Sequence, residues 1–281
     1  MLNAVPVTKL PSGAAVPVLG QGTWTMGEDP RRRPQEVAAL RLGLDLGMTL
    51  IDTAEMYADG EAERVVAAAI AGRRDEVFLV SKVLPEHAAR RAAIAACERS
   101  LKRLKTDRID LYLLHWRGET PLEETLEAFT ALARAGKIRN WGVSNFNLGD
   151  MRELMRLSDG NAVAGNQVMY NLKRRGIEYD LIAWCRKRRI PIIAYSPLDQ
   201  GTLVRSRDLK RIAAGLGASA TQVALAWALR RTGTIVIPRA SSEAHVRENR
   251  AALDLRLGKA DLAELDRAFP PPRRARPLET V

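Results

Sequence analysis

Several polar side chains stand where apolar runs of this chain stop. Leu50-Ile51 ends in Asp52, with Tyr57 in the loop that follows; Val80-Ser81 ends in Lys82; Leu113-Leu114 ends in His115. If these runs are neighbouring strands, which lie ~4.8 Å apart, Asp52, Lys82 and His115 reach one patch with Tyr57 over it. Each alone has an ordinary structural role: a helix cap, a rim lysine, a satisfied core histidine. Three consecutive run ends carrying three different ionisable groups favour a proton-transfer site instead. A buried lysine without a counter-charge is costly, and Asp52 supplies one. Tyrosine titrates near pH 10. An ammonium at ~4 Å in an effective dielectric of ~20 interacts by on the order of 4 kcal/mol, enough to lower the phenol by as much as ~3 pH units. The expectation is that Tyr57 donates a proton, Lys82 tunes it, Asp52 holds Lys82, and His115 orients a carbonyl. Such a quartet has no electron source of its own, so it needs a cofactor.

These residues must be positioned by the elements around them. Candidate strands are Val18–Gly22, Thr49–Ile51, Val77–Val80, Ile109–Leu114, Ile138–Val143, Ala162–Val168, Ile190–Ala194 and Thr234–Ile237. Helix-patterned stretches separate them, such as Leu122/Leu126/Phe129 at i, i+4, i+7. Strands alternating with helices of this length predict βαβ units and a parallel sheet. Eight such units without a break in composition predict an α/β fold, a (β/α)₈ TIM barrel, over residues 1–281 as a single domain. Val5–Leu10 and Ala14–Val18 read as an N-terminal β-hairpin. Before the last strand come an extra loop, Leu198–Asp208, and a helix with a capping box at Ser219–Gln222. Leu262/Leu265/Phe269 predicts a further helix ahead of the proline-rich tail Pro270–Val281.

Composition narrows the function classes. With 46% apolar and 27% charged residues, the chain has the make-up of an ordinary soluble protein. Met1–Val18 lacks an export-signal pattern, and no run approaches the ~18 apolar residues of a membrane helix. Cys97 and Cys185 fall in separate helical segments and read as packed, reduced thiols, so a cytoplasmic protein is expected. The net charge of +11 would attract nucleic acid. The charges are dispersed among acidic residues, however, clustering only at Arg31–Arg33, Lys173–Arg175, Arg186–Arg189 and Arg273–Arg276. Neither a nucleic-acid nor a membrane partner is expected, and no metal-ligand set is read. A positive field would instead favour a polyanionic cofactor.

The chain resembles the aldo-keto reductases from about Val5 to the tail. The resemblance rests on Gly20-Gln-Gly-Thr-Trp24, Leu50-Ile-Asp-Thr-Ala54 with Tyr57, Val80-Ser-Lys82, Leu113-Leu-His-Trp116, Gly142-Val-Ser-Asn-Phe146, Asn166-Gln-Val168, Ala194-Tyr-Ser-Pro-Leu198 and Ile237-Pro-Arg239 with Glu248-Asn249. It implies that Asp52, Tyr57, Lys82 and His115 form the family's catalytic tetrad. It also implies that Ser144, Asn145 and Gln167 hold the nicotinamide carboxamide, that Tyr195 stacks on the ring, and that Ser196 and Leu198 face the pyrophosphate. Gly22, Thr23, Trp24, Arg239, His245, Glu248 and Asn249 complete the implied cofactor contacts. Trp24 and Trp116 would wall the substrate pocket with Tyr57 and His115. Ala54-Glu-Met-Tyr57 and Glu178-Tyr-Asp180 are similar to bacterial members that reduce methylglyoxal and other small aldehydes.

NADPH is the cofactor implied, with NADH the alternative. Many NADPH-binding members carry a lysine, then a serine, then an arginine six residues after the lysine; here these positions are Arg239, Ala240 and His245. No G-x-G-x-x-G turn links a strand to a helix, so a Rossmann domain is not the competing reading. Two competing functions share the residues: a lyase forming a Schiff base on Lys82, and a cofactor-binding regulatory barrel with little turnover. The expected partner is a small carbonyl compound, and the expected state a monomer or weak oligomer.

Overall fold

The computed structural model describes residues 4–280. Met1–Asn3 and Val281, the ends of the segments read for an export signal and for the tail, lie outside them. Strands β1 (Val7–Lys9) and β2 (Ala15–Pro17) form an antiparallel hairpin. Eight strands then follow: β3 (Gln21–Gly22), β4 (Leu50–Asp52), β5 (Phe78–Val83), β6 (Ile109–Leu114), β7 (Ile138–Ser144), β8 (Asn166–Met169), β9 (Ile192–Tyr195) and β10 (Thr234–Val236). Each pairs in parallel with the next in sequence. Parallel bridges Leu19↔Val236 and Gly22↔Arg239 join the first strand to the last and close the (β/α)₈ barrel. At that seam a Cβ on Gly22 would stand 2.9 Å from the Ile237 carbonyl oxygen, so only glycine fits.

The helices are α1 (Arg33–Asp45), α2 (Glu61–Ala69), α3 (Arg90–Leu104), α4 (Leu122–Arg134), α5 (Leu148–Leu154), α6 (Leu181–Lys187), α7 (Arg207–Gly215), α8 (Ala220–Leu229), α9 (Glu243–Ala251) and α10 (Lys259–Ala268). The α4 triplet Leu122, Leu126 and Phe129 is buried as its spacing predicts, and α8 starts at the expected Ser219/Gln222 capping box. The long segment before β10 departs from expectation. Its loop ends at Ser206, which caps the unforeseen α7 by accepting from Leu209 N–H, and Leu209, Ile212 and Ala213 bury that helix.

Strand boundaries also move. Val18–Gly20 exchanges hydrogen bonds with Val236, not with β4. Gly160–Ala162 turns as a 3₁₀ helix ahead of β8. Pro191, with no N–H to give, precedes the start of β9. At the other end, β5, β7 and β9 run past their apolar cores to include Lys82, Ser144 and Tyr195.

Side chains alternate across the barrel wall. Ile51, Leu79, Tyr112 and Ile192 face outward into the large core beneath the helices. Leu50, Val80, Leu111, Leu113, Ile193, Ile235 and Ile237 form a second, inner cluster, which Leu10 and Val16 of the hairpin join. The inner phase continues toward the C-terminal strand ends as Leu50 then Asp52, Val80 then Lys82, Leu113 then His115, Ile193 then Tyr195, and Ile237 then Arg239. The same alternation that fills the barrel therefore aims the polar groups at its mouth, where barrel enzymes carry their chemistry.

Candidate active site

Lys82 is fully buried at the end of β5. Its Nζ donates to Asp52 Oδ1 at 2.7 Å and to the Thr53 carbonyl at 2.9 Å, and lies 3.0 Å from the Tyr57 hydroxyl. Burial alone would lower the ammonium, but Asp52 first and then Tyr57 outweigh it, leaving Lys82 above its ordinary value and charged. The second Asp52 oxygen accepts from Gln167 Nε2 at 2.7 Å. His115 meets Tyr57 edge-on, with ring centroids 5.8 Å apart. The four residues are thus brought together as expected.

The expected tuning of Tyr57 is not what the geometry gives. Desolvation raises the phenol, and Asp52 adds to this; the opposing pull of Lys82 is smaller, so the net direction is upward. Tyr57 therefore stays protonated at neutral pH, as a proton donor must. Burial, followed by the Lys82 charge, holds His115 down to about 3. Its imidazole is neutral, and Nδ1 is buried with no hydrogen-bond partner among the described residues. A neutral imidazole beside a charged lysine can present one N–H to a carbonyl oxygen.

The strand-end amides lie next to this group. Asn145, at φ 59°, donates to the His115 carbonyl at 3.1 Å and lies 3.3 Å from Ser144 Oγ. It accepts from the Tyr195 hydroxyl at 2.9 Å. Thr23 is fully buried, its hydroxyl spent on the Asp52 carbonyl at 3.0 Å. Ser196, also at positive φ, and Leu198 begin the loop after β9; Asn171 Nδ2 donates to the Ser196 carbonyl. The Leu198 side chain packs against the outer core. Trp116 lies 4.9 Å from His115 between ring centroids, and Trp24 is 40% exposed.

Arg239 follows β10 and makes no ion pair or side-chain hydrogen bond in contact with it among the described residues. Glu243, in the first turn of α9, faces Arg247 at 3.9 Å. His245 is exposed in the first turn of α9. Glu248 accepts from the α8 cap Ser219 at 2.6 Å, and Asn249 is buried. Glu248 is thereby tied to the cap of α8, and Asn249 lies inside α9. Cys97 and Cys185 are free, buried thiols.

Two of the buried carboxylates that the sequence reading does not name lie beside this group, Glu55 and Glu63. Glu55, between Asp52 and Tyr57, accepts from Leu84 N–H at 2.9 Å and pairs with His87 Nδ1 at 2.9 Å. Glu63 accepts from Ser81 Oγ at 2.7 Å and from Arg103 at 2.6 Å. They staple the Tyr57 loop and the helix after it to the strand that carries Lys82. The signal was an acidic residue inside an otherwise apolar strand-to-helix turn, at Ala54-Glu-Met-Tyr57.

Residues 18–269 match the sequence model of the aldo/keto reductase family. The chain is 53% identical over 272 residues to methylglyoxal reductase YeaE of Escherichia coli (strain K12), covering 95% of this chain and 96% of that protein. It is 33% identical over 258 residues to a glyoxal reductase of Bacillus subtilis (strain 168), covering 92% and 91%. A crystal structure of an aldo-keto reductase from Klebsiella pneumoniae in complex with NADPH superposes with a TM-score of 0.96 at 51% identity over the whole of both chains. With the closed barrel and Lys82 buried between Asp52 and Tyr57 at its mouth, this chain belongs to the aldo/keto reductase family.

Proposed function

We propose that the chain reduces small aldehydes and ketoaldehydes, methylglyoxal among them, to alcohols with NADPH, from one barrel domain spanning residues 1–281. The observation that carries this reading is the position of Lys82, which touches the Asp52 carboxylate and the Tyr57 hydroxyl at once. The residues present fit a nicotinamide dinucleotide: strand-end amides at Asn145 and Gln167 beside the tetrad, and an unpaired guanidinium at Arg239 where α9 begins. Ser144, Asn145 and Gln167 would hold its carboxamide, Tyr195 its ring, Ser196 and Leu198 its pyrophosphate, and Arg239 its 2′-phosphate. When bound, NADPH supplies hydride.

The protein's own groups supply the rest. Neutral His115 donates a hydrogen bond to the substrate carbonyl and orients it. Tyr57 gives that oxygen its proton, and the phenolate left behind is stabilised by Lys82. Asp52, held by Gln167, keeps Lys82 charged and in place. Trp24 and Trp116 wall the mouth against bulky substrates. A salt-bridged ammonium is a poor nucleophile, which speaks against a Schiff base on Lys82.

Among the described residues no single helix is long and apolar enough to cross a membrane. The free thiols fit a reducing compartment, and the cytoplasm is the proposed location. The test is NADPH oxidation, followed by absorbance, against methylglyoxal and a panel of short aldehydes, quinones and sugars. Turnover highest on the small aldehydes supports the proposal; no turnover on any carbonyl would leave a cofactor-binding barrel in its place.

A further inference from the structure

The Arg31–Arg33 triplet divides its charges three ways. Arg31 closes on Asp29 at 2.9 Å, and Arg33 pairs with Glu61. Arg32 instead reaches across the barrel seam: its Nη2 donates to Ser241 Oγ at 3.1 Å, a contact spanning 209 positions of sequence. Ser241 stands two places after Arg239 and beside Ser242, whose side chain caps α9 by accepting from His245 N–H. The backbone bridge Gly22↔Arg239 fixes the two loops at the same seam. Neither Arg32 nor Arg239 has a carboxylate in ion-pair contact among the described residues. Desolvation holds Arg239, which remains exposed at the surface, below the ordinary arginine value; Glu36 opposes this most, Arg32 adds to it, and Glu28 opposes it.

Two guanidinium groups held within electrostatic reach of each other repel, and a doubly charged anion between them relieves that repulsion. The Ser241 hydroxyl, although it accepts from Arg32, retains a proton to donate. We propose that Arg32, from the loop after the first barrel strand, joins Arg239 as a second guanidinium on the 2′-phosphate of NADPH. It supplies charge where Ala240 offers no hydroxyl and His245 is an exposed imidazole. The proposal rests on the reading of Arg239 as a 2′-phosphate residue, and its test separates the two.

Dissociation constants for NADPH, NADH and 2′,5′-ADP are measured by fluorescence titration or calorimetry on the wild type, Arg32→Ala and Arg239→Ala. Arg32→Ala is expected to weaken NADPH and 2′,5′-ADP by roughly 5- to 20-fold, the order for one partly solvated charge-assisted contact. NADH should change less than about 2-fold by the same reasoning. Equal losses for NADH and NADPH in Arg32→Ala would overturn the proposal. So would no loss in Arg32→Ala while Arg239→Ala loses NADPH selectively, and the Arg239 reading would then stand alone. Selective loss in Arg32→Ala with none in Arg239→Ala would overturn the paired arrangement, removing Arg239 from the phosphate and with it the reading on which the proposal rests.

Discussion

Gln167 on β8 donates to Asp52 on β4 at 2.7 Å, across the barrel from one strand end to another. The carboxylate that holds Lys82 is therefore itself held, and both of its oxygens are occupied. A residue that the resemblance assigned to the cofactor is at the same time tied to the catalytic group. On the proposed reading, displacing the Gln167 amide disturbs the proton donor and the cofactor together.

The raised Tyr57 phenol has a consequence for pH dependence. A group above its ordinary value of about 10 remains protonated throughout the neutral range. The kcat for aldehyde reduction should then be level from roughly pH 6 to 9 and fall only near or above about pH 10, as the donor is lost. A decline centred between about pH 6 and 8 would mean that another group carries the proton.

His115 should leave its mark on stability. Its imidazole is held at about 3 in the folded protein, against about 6.5 when unfolded. Below about pH 6.5 the unfolded chain binds a proton that the folded one refuses, so stability falls with pH at up to about 1.4 kcal/mol per pH unit. His115→Phe removes this contribution. The stability difference between variant and wild type, from urea denaturation, should shift in the variant's favour by about 2 kcal/mol between pH 7 and pH 5. An identical difference at both values would contradict the assignment.

The tetrad was legible because alternation is strict in a strand: once Leu50, Val80 and Leu113 face inward, Asp52, Lys82 and His115 must follow them. The barrel was legible for the same reason, from eight apolar runs with helices between them. What alternation does not carry is a contact made by a long side chain between separate elements. Glu55 on Leu84 N–H, Glu63 on Ser81 and Arg32 on Ser241 each depend on how a loop or helix folds back onto its neighbour. The direction of the Tyr57 shift was missed because it depends on how far the site is desolvated, a property of the packed barrel and not of the Lys82–Tyr57 pair. The α7 helix overlaps the expected loop Leu198–Asp208 only at its first turn and lies otherwise between that loop and the Ser219 capping box, where no element is expected.

Glu55→Gln tests the staple. It preserves shape but removes the charge facing His87, loosening the Tyr57 loop from the end of β5. A misplaced catalytic group costs rate more than ground-state binding, so kcat should fall by on the order of 10-fold with the NADPH dissociation constant unchanged. Losses in both to the same extent would make Glu55 a general folding residue.

Trp116→Ala tests the wall of the pocket. On the proposed reading the ring beside His115 walls the pocket, so its removal should raise kcat/KM for a bulky aromatic aldehyde relative to methylglyoxal, by about 10-fold for a pocket contact of this kind. An unchanged ratio across the panel would place Trp116 outside the substrate's reach.

The proposed reduction requires that Tyr57 deliver the proton. The measurement is kcat for aldehyde reduction in Tyr57→Phe, taken beside a fluorescence titration with NADPH. The variant keeps the ring that packs against His115 and loses only the hydroxyl that Lys82 contacts. A loss of ~10²–10⁴-fold in kcat with nearly unchanged NADPH affinity is the predicted result, the usual contribution of a positioned acid. Retention of more than about a tenth of wild-type kcat would contradict it, since no acid in that range could be missing.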